Sequence, residues 1–455
     1  MNSNEPKQGD SADRARNYFL LEALRKRRSR RFGLGMKIES GPLTHTSRFA
    51  PKPLSEPEEA SLAFAACGIT GYALADLTYA SGTGGNIMAG LAGRTIASGD
   101  GIQSVALAVT NDDATWLLKR PRDFSPVELS DLIHKGQNNE FTEIYQRSRV
   151  MLKTERAAPP VEPLFIISIN RWSAHAAGTT SFIPINDLTL LYINGLLEVL
   201  NETTGAFILD ERAGFQPAGL ARFARSRGGH LEDDPAKGRV VTTKHVELMV
   251  SEFVSIEQGM MLQNLALMTQ ALGLGGFPSF ANHETGWFDA LGFRMQTLPV
   301  SRYFGMNFFA RNALRFLGRD LPVSIPLALE KNGEPLLQPF CPPYYPTMRA
   351  AVEAVVKIKF GSGGAFDGTT GASAWKEPKH ICAGVAKITG AAIDATVAYC
   401  EYIWNRYGRF PGHVAPFRTV MSFQAAHLDA EFYDRFYREE ALSAAQREDF
   451  AKREQ

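Results

Sequence analysis

Ser255 to Leu272 is the stretch that most limits what this 455-residue chain can fold into. Its polar positions Glu257, Gln258, Asn264 and Gln270 form only a narrow stripe, so the spacing predicts a helix buried nearly all round. Such a helix needs neighbours on several sides, and the chain can supply them. It is 44% hydrophobic and 21% charged, the composition of a globular protein with a large core. The richest apolar part, Met260 to Phe277, is interrupted by Gln263, Asn264, Thr269 and Gln270, so it reads as a buried helix and no membrane span is expected.

The elements around it follow from periodicity and punctuation. Ser11 to Arg28 has helical spacing, with Leu20, Leu21 and Leu24 on one face and cations gathering at the C-terminal end. Glu58 to Cys67 predicts a second helix, Leu188 to Leu200 a third, and Ile381 to Tyr407 a long one. Buried strands are expected at Ser104 to Thr110 and at Leu164 to Ile169. Val323 to Leu329 is a further strand that Pro326 would break or confine to an edge. These elements predict an α+β chain: a disordered, polar tail over 1–15, a main domain over 16–330 with an irregular insertion at about 171–245, and a mainly helical extension over 331–455. The insertion would serve as a lid or a dimer arm.

Lys plus Arg (49) nearly balances Asp plus Glu (48), so no global field holds the chain on nucleic acid or an anionic membrane. Any anion site must be local. Cys67, Cys341, Cys382 and Cys400 are scattered without a CxxC pair, which argues against zinc ribbons and disulfide frameworks and suits a reducing, cytoplasmic setting. The first fifteen residues lack the apolar stretch of a secretion signal.

Three constellations could carry chemistry. Arg25 to Arg31 holds six cations in seven positions around Ser29. Their mutual repulsion is relieved by a phosphate, for which arginine offers a planar fork and serine a hydroxyl, or by solvent at a helix end. The second runs from Gly93 to Gln103, where small residues let a planar ligand approach the backbone and Arg94, Ser98 and Gln103 can bond its rim; a plain glycine-rich turn is the alternative. The third, Ala271 to Ala281, is a helix stop rich in glycine. It is not a dinucleotide fingerprint, because a helix precedes Gly273-Leu274-Gly275 and the third glycine is missing. Neither GxSxG nor GxxxxGK[ST] occurs, and Trp287 stands where a zincin would need its second histidine after His283-Glu284. His427, Asp429 and Glu431, spaced by two, do not share a helical face, so a surface role is expected and no metal site is assigned.

In this order the three constellations resemble the nitroreductase family. Arg27-Arg28-Ser29-Arg30-Arg31 is similar to its Arg-Arg-Ser-x-Arg stretch, Ala97-Ser98 through Gln103 to its Pro-Ser-x-x-x-x-Gln loop, and Gln263-Asn264-Leu265 through Gly273-Leu274-Gly275 to its Gln-Asn-Leu helix and Gly-Leu-Gly stop. Ala97 replaces the usual proline, and no late Lys/Arg pair is evident. The resemblance implies an FMN-binding α+β sandwich working as a homodimer, which takes hydride from NAD(P)H and passes electrons to a small acceptor. The flavin would carry the chemistry, with no catalytic side chain. Carried over, Arg27, Arg28, Ser29 and Arg31 would grip the FMN phosphate. Arg94, Ser98, Gly99 and Gln103 would lie beside the ring, and Gly275, Gly276, Pro278, Ser279, Phe280 and Ala281 would face its reactive edge. Two alternatives stay open: a protein of this fold that only binds a ligand or partner, and a flavin oxidase acting on a peptide-derived substrate.

Overall fold

The long helix anticipated from residue 255 begins earlier, at Thr243, and runs without a break to Leu272. Thr242 caps it by accepting from the His245 N–H, and Gly273 ends it at φ 76°, a left-handed conformation open to glycine. The earlier start was hidden because His245, Glu247 and Ser251 interrupt the apolar pattern, although Val246, Val250 and Val254 are buried. The computed structural model describes residues 11–75, 86–162, 165–279 and 284–452.

The C-terminal half of this helix lies on an antiparallel sheet. Its strands are β1 (Val105–Thr110), β2 (Thr115–Leu118), β3 (Arg149–Lys153), β4 (Thr180–Asp187), β5 (Gly275–Ser279), β6 (Phe417–Arg418) and β7 (Ser422–Ala426). They pair in the order β5-β7-β4-β1-β2-β3, with β6 also on β4. Val105, Leu107 and Val109 face Met261, Leu265 and the helix Glu56–Cys67, whereas Ala106 and Ala108 join Ile183, Trp287 and Phe288 in the core on the other face. Burial on both faces explains why β1 reads as a continuous apolar run rather than an alternating one. The architecture is α+β.

β4 falls within 171–245, so the stretch read as an insertion contains a central strand of the main sheet. Pro184 masked it, since proline cannot donate to a ladder. The register resolves this. β4 pairs with β1 throughout, but on its other side β7 covers only Thr180 to Phe182 and β6 only Asn186 and Asp187. Pro184 sits in the gap between them.

Pro326 is accommodated in a related way. It lies in the strand Pro322–Lys331, opposite Met295 and next to a register shift, and the third strand of that sheet joins only from Leu329. At the proline the strand is an edge, as expected. Leu164 to Ile169 forms no strand over its described residues: Ser168–Asn170 is a 3-10 turn, with Ile167 and Ile169 exposed.

The N-terminal half of the long helix packs into a second core with Leu188–Val199, Met348–Phe360 and Gly390–Tyr407. The other helical expectations need adjustment. Ser11 to Arg28 is two short helices, Ser11–Arg16 and Leu20–Lys26, and Leu20, Leu21 and Leu24 are exposed. Part of the expected tail is anchored, because Ser11 Oγ donates to Glu58. The region after 330 is not purely helical, since it contributes β6 and β7 to the main sheet. Among the described residues no helix is long and apolar enough to cross a membrane.

Candidate functional site

Helix Leu20–Lys26 stops at Arg27, where the backbone turns extended, and Arg30 then bridges Gly276 of β5 while Gly33 bridges Leu428. This brings the basic cluster, the strand after the long helix and the C-terminal region together. Arg30 is the tie. Its Nε donates to the Ala441 carbonyl at 2.6 Å, Nη1 to Gln270 Oε1 at 3.0 Å and Nη2 to the Lys26 carbonyl at 3.2 Å. Burial pulls its pKa down to about 10, so it remains cationic at neutral pH.

Arg28, Ser29 and Arg31 border one cavity of about 850 Å³. Across it stand Trp172, Phe432, Tyr433 and Arg438. Arg31 lies over the rings of Phe277 (4.4 Å) and Trp172 (5.1 Å) and donates Nη2 to Ser173 Oγ at 2.9 Å, while its buried Nε has no partner. Tyr433 Oη accepts from the Phe32 N–H at 3.1 Å, fixing the aromatic wall to the basic segment. Glu440 is the only carboxylate among the described lining residues, against Arg28, Arg30, Arg31 and Arg438. The cavity therefore favours an anion with an aromatic or apolar body. Arg27 is not one of its walls.

The glycine strand meets this site but uses its glycines for packing. A Cβ on Gly275 would lie 2.9 Å from the Arg30 carbonyl, and one on Gly276 would lie 2.6 Å from the Phe423 ring. Pro278 and Ser279 continue β5 opposite Phe423 and Ser422, Pro278 being exposed and Ser279 half-buried. Phe280 and Ala281 lie outside the described residues.

The loop carrying Arg94, Ser98, Gly99 and Gln103 is elsewhere. Arg94 is buried and donates Nε to the Cys67 carbonyl and Nη1 to the Val105 carbonyl, both at 2.8 Å. It pins the loop to the fold rather than pointing at a ligand rim. Ser98 Oγ donates to Glu257 and accepts from the Gln103 N–H. Burial raises the pKa of Glu257, against the opposing bonds from Ser104 and Ser98. Glu257 and Gln270, the anchors of the loop and of Arg30, are thirteen residues apart on the long helix, about 20 Å along its axis. A single chain thus unites the first and third constellations and keeps the second apart.

Sequence reasoning missed Trp172 and Arg438, and offered Tyr433 only as part of an aromatic partner interface. The alternation of aromatics and charges after Phe432 was visible, but nothing local ties it to residue 29. It also misplaced His427 and Asp429, which are buried. His427 lies between Asp449 (3.2 Å) and Glu58 (3.5 Å), in a group that joins the residue just after β7 to helices Glu56–Cys67 and Ala444–Ala451.

No protein-family model matches the chain, and no curated protein is detectably similar to it. No family is assigned. Among solved structures, the chain is similar to one from Ralstonia eutropha that is provisionally described as a nitroreductase, at 11% identity over 64% of this chain and 80% of that one. The TM-score is 0.29, too low for the likeness to decide anything about fold or chemistry.

Proposed function

We propose that the protein is an FMN-dependent oxidoreductase, similar to nitroreductases, that takes hydride from NAD(P)H and reduces a small acceptor as a homodimer. The observation that carries this reading is the basic, aromatic-walled cavity beside Arg28 and Ser29. Its donors suit the group: Arg28 and Ser29 on one side and Arg438 on the other can surround a phosphate, Arg438 offering one late cation where the resemblance implies a pair. The buried, unpartnered Nε of Arg31 would donate to the same anion. Trp172 and Phe432 offer flat apolar walls to a ring. Bound FMN would supply reversible hydride acceptance. The chain's own part is to bind, orient and shield, and none of its side chains is needed as a nucleophile.

A second copy belongs to the proposal because Ser98 and Gln103 are about 20 Å along the long helix from the basic cavity within one chain. Exposed Leu248, Met249, Phe253 and Ile256 on the long helix, and Leu20, Leu21 and Leu24 near the cavity, are apolar side chains that a partner copy would cover.

The test is an absorption spectrum of the freshly purified and the FMN-reconstituted protein. Flavin bands are expected, with occupancy falling in Arg28→Ala, Ser29→Ala and Arg438→Ala while the folded chain persists. A colourless protein that takes up no FMN overturns the reading. The internal engagement of Ser98 with Glu257 favours a second reading, a protein that binds flavin without turnover. Bound flavin that neither NADH nor NADPH bleaches would select it.

A further inference from the structure

A second cavity, of about 300 Å³, lies between segment 89–92, Gly101 to Gln103, Pro121 to Pro126 and the helix Met348–Phe360. Two polar atoms of its lining residues are buried without a partner: Gln103 Oε1 and Arg122 Nη1. Gln103 is only 6% exposed, and its amide is oriented by Nε2 donating to the Ala92 carbonyl at 3.3 Å, so the oxygen is the atom left unmet. Arg122 spends Nη2 on Asp187 Oδ2 at 3.2 Å. Asp187 Oδ1 is taken by the N–H and hydroxyl of Thr189. Buried acceptors and donors are rarely left unmet, and these two border the same space.

The charged residues that line the space are both cations, one of them, Arg122, already paired with Asp187. Arg122 and Lys357 line it, and among the described residues no carboxylate does. Leu91, Phe124, Leu190 and Ile358 make the remaining surface largely apolar. One free guanidinium nitrogen and one ammonium match the two oxygens of a carboxylate; the third oxygen of a phosphate would face apolar side chains.

We propose that this cavity binds a small aromatic carboxylic acid bearing an O–H or N–H donor. The carboxylate lies on Arg122 and Lys357, the donor meets Gln103 Oε1, and the ring sits against Phe124. Within one chain this cavity shares no lining residue with the basic cavity, and its Arg122, Lys357 and Phe124 have no part in the flavin reading; only Gln103 is common to the two proposals.

Calorimetric titration of the full chain with 4-hydroxybenzoate, 3-hydroxybenzoate, benzoate and 4-hydroxybenzyl alcohol tests it. A hydroxybenzoate is expected to bind tightest. Benzoate, without the donor, and the alcohol, without the carboxylate, should each be about tenfold weaker. Arg122→Gln could unfold the chain by stranding Asp187, so the variants are Lys357→Met at an exposed position and Ala354→Phe at a half-buried one, with retained folding checked by thermal melting. The first should weaken the hydroxybenzoate about tenfold. The second, which fills the cavity, should abolish binding, whereas Arg28→Ala, which lowers flavin occupancy at the basic cavity, should leave the affinity for the hydroxybenzoate as it is. The proposal is overturned if none of the acids binds, if acid and alcohol bind alike, or if binding is lost in Arg28→Ala and kept in Ala354→Phe. Flavin content, measured on the same samples, reports the other cavity independently.

Discussion

A half-buried glutamate, Glu284, and a buried one, Glu58, respond to pH in opposite directions. Burial pushes Glu284 up to about 7 from an ordinary 4.5, with the charge of Arg418 and the Thr419 N–H only partly opposing. Its folded value exceeds its unfolded one, so stability is greatest below about 4.5 and falls as pH rises from there through about 7. Denaturant melts across that window should show the decline in the native chain and a flatter profile in Glu284→Gln. For Glu58 burial again raises the value, but the hydrogen bond and charge of His427, together with Ser55, outweigh it and bring it down to about 2. Stability from this group is fully present above its unfolded value of about 4.5 and is lost as pH falls through about 2. Glu58→Gln should cost on the order of 1–3 kcal/mol at neutral pH and remove that acid-side slope. Neither behaviour was legible in the sequence. Spacing arguments compare residues on one element, whereas His427 meets Glu58 and Asp449 only through tertiary packing.

For single elements the sequence was most informative where a pattern is long and its burial uniform. β1 and the second half of the long helix read clearly, and so did the Gly273 stop and the edge position of Pro326. β4 did not, because Pro184 occupies a strand position that is tolerable only where β6 and β7 leave one side unpaired, a circumstance set more than two hundred residues later. The long helix also carries the clearest mechanical prediction. Leu265 is fully buried between the sheet and helix Glu56–Cys67. Leu265→Ala should therefore destabilise the fold by about 2–5 kcal/mol, read as a lower denaturation midpoint at an unchanged slope.

For the whole molecule, the basic segment at Arg28 and Ser29 was legible as an anion site in search of a ligand, but its surroundings were not. The opposite wall comes from Trp172 and from Phe432 to Arg438. The proposed homodimer makes a direct prediction: sedimentation should give twice the 50.0 kDa chain mass. Phe253→Glu, on the exposed face of the long helix, should shift the equilibrium toward the single chain. A monomer at all concentrations would remove the homodimer from the proposal and leave the Ser98 loop without a route to the basic cavity.

The place of β7 between β5 and β4 has a consequence for how the molecule is made. During synthesis the ribosome delivers β4 and β5 long before Ser422 to Ala426, so until then the two stand with a vacant lane between them, their unpaired backbone edges open to any strand nearby. The same late residues lead into the wall of the basic cavity. A nascent chain halted before about residue 420 would therefore be both adhesive and without that wall, which makes the newborn protein a natural client for chaperones that shield sheet edges.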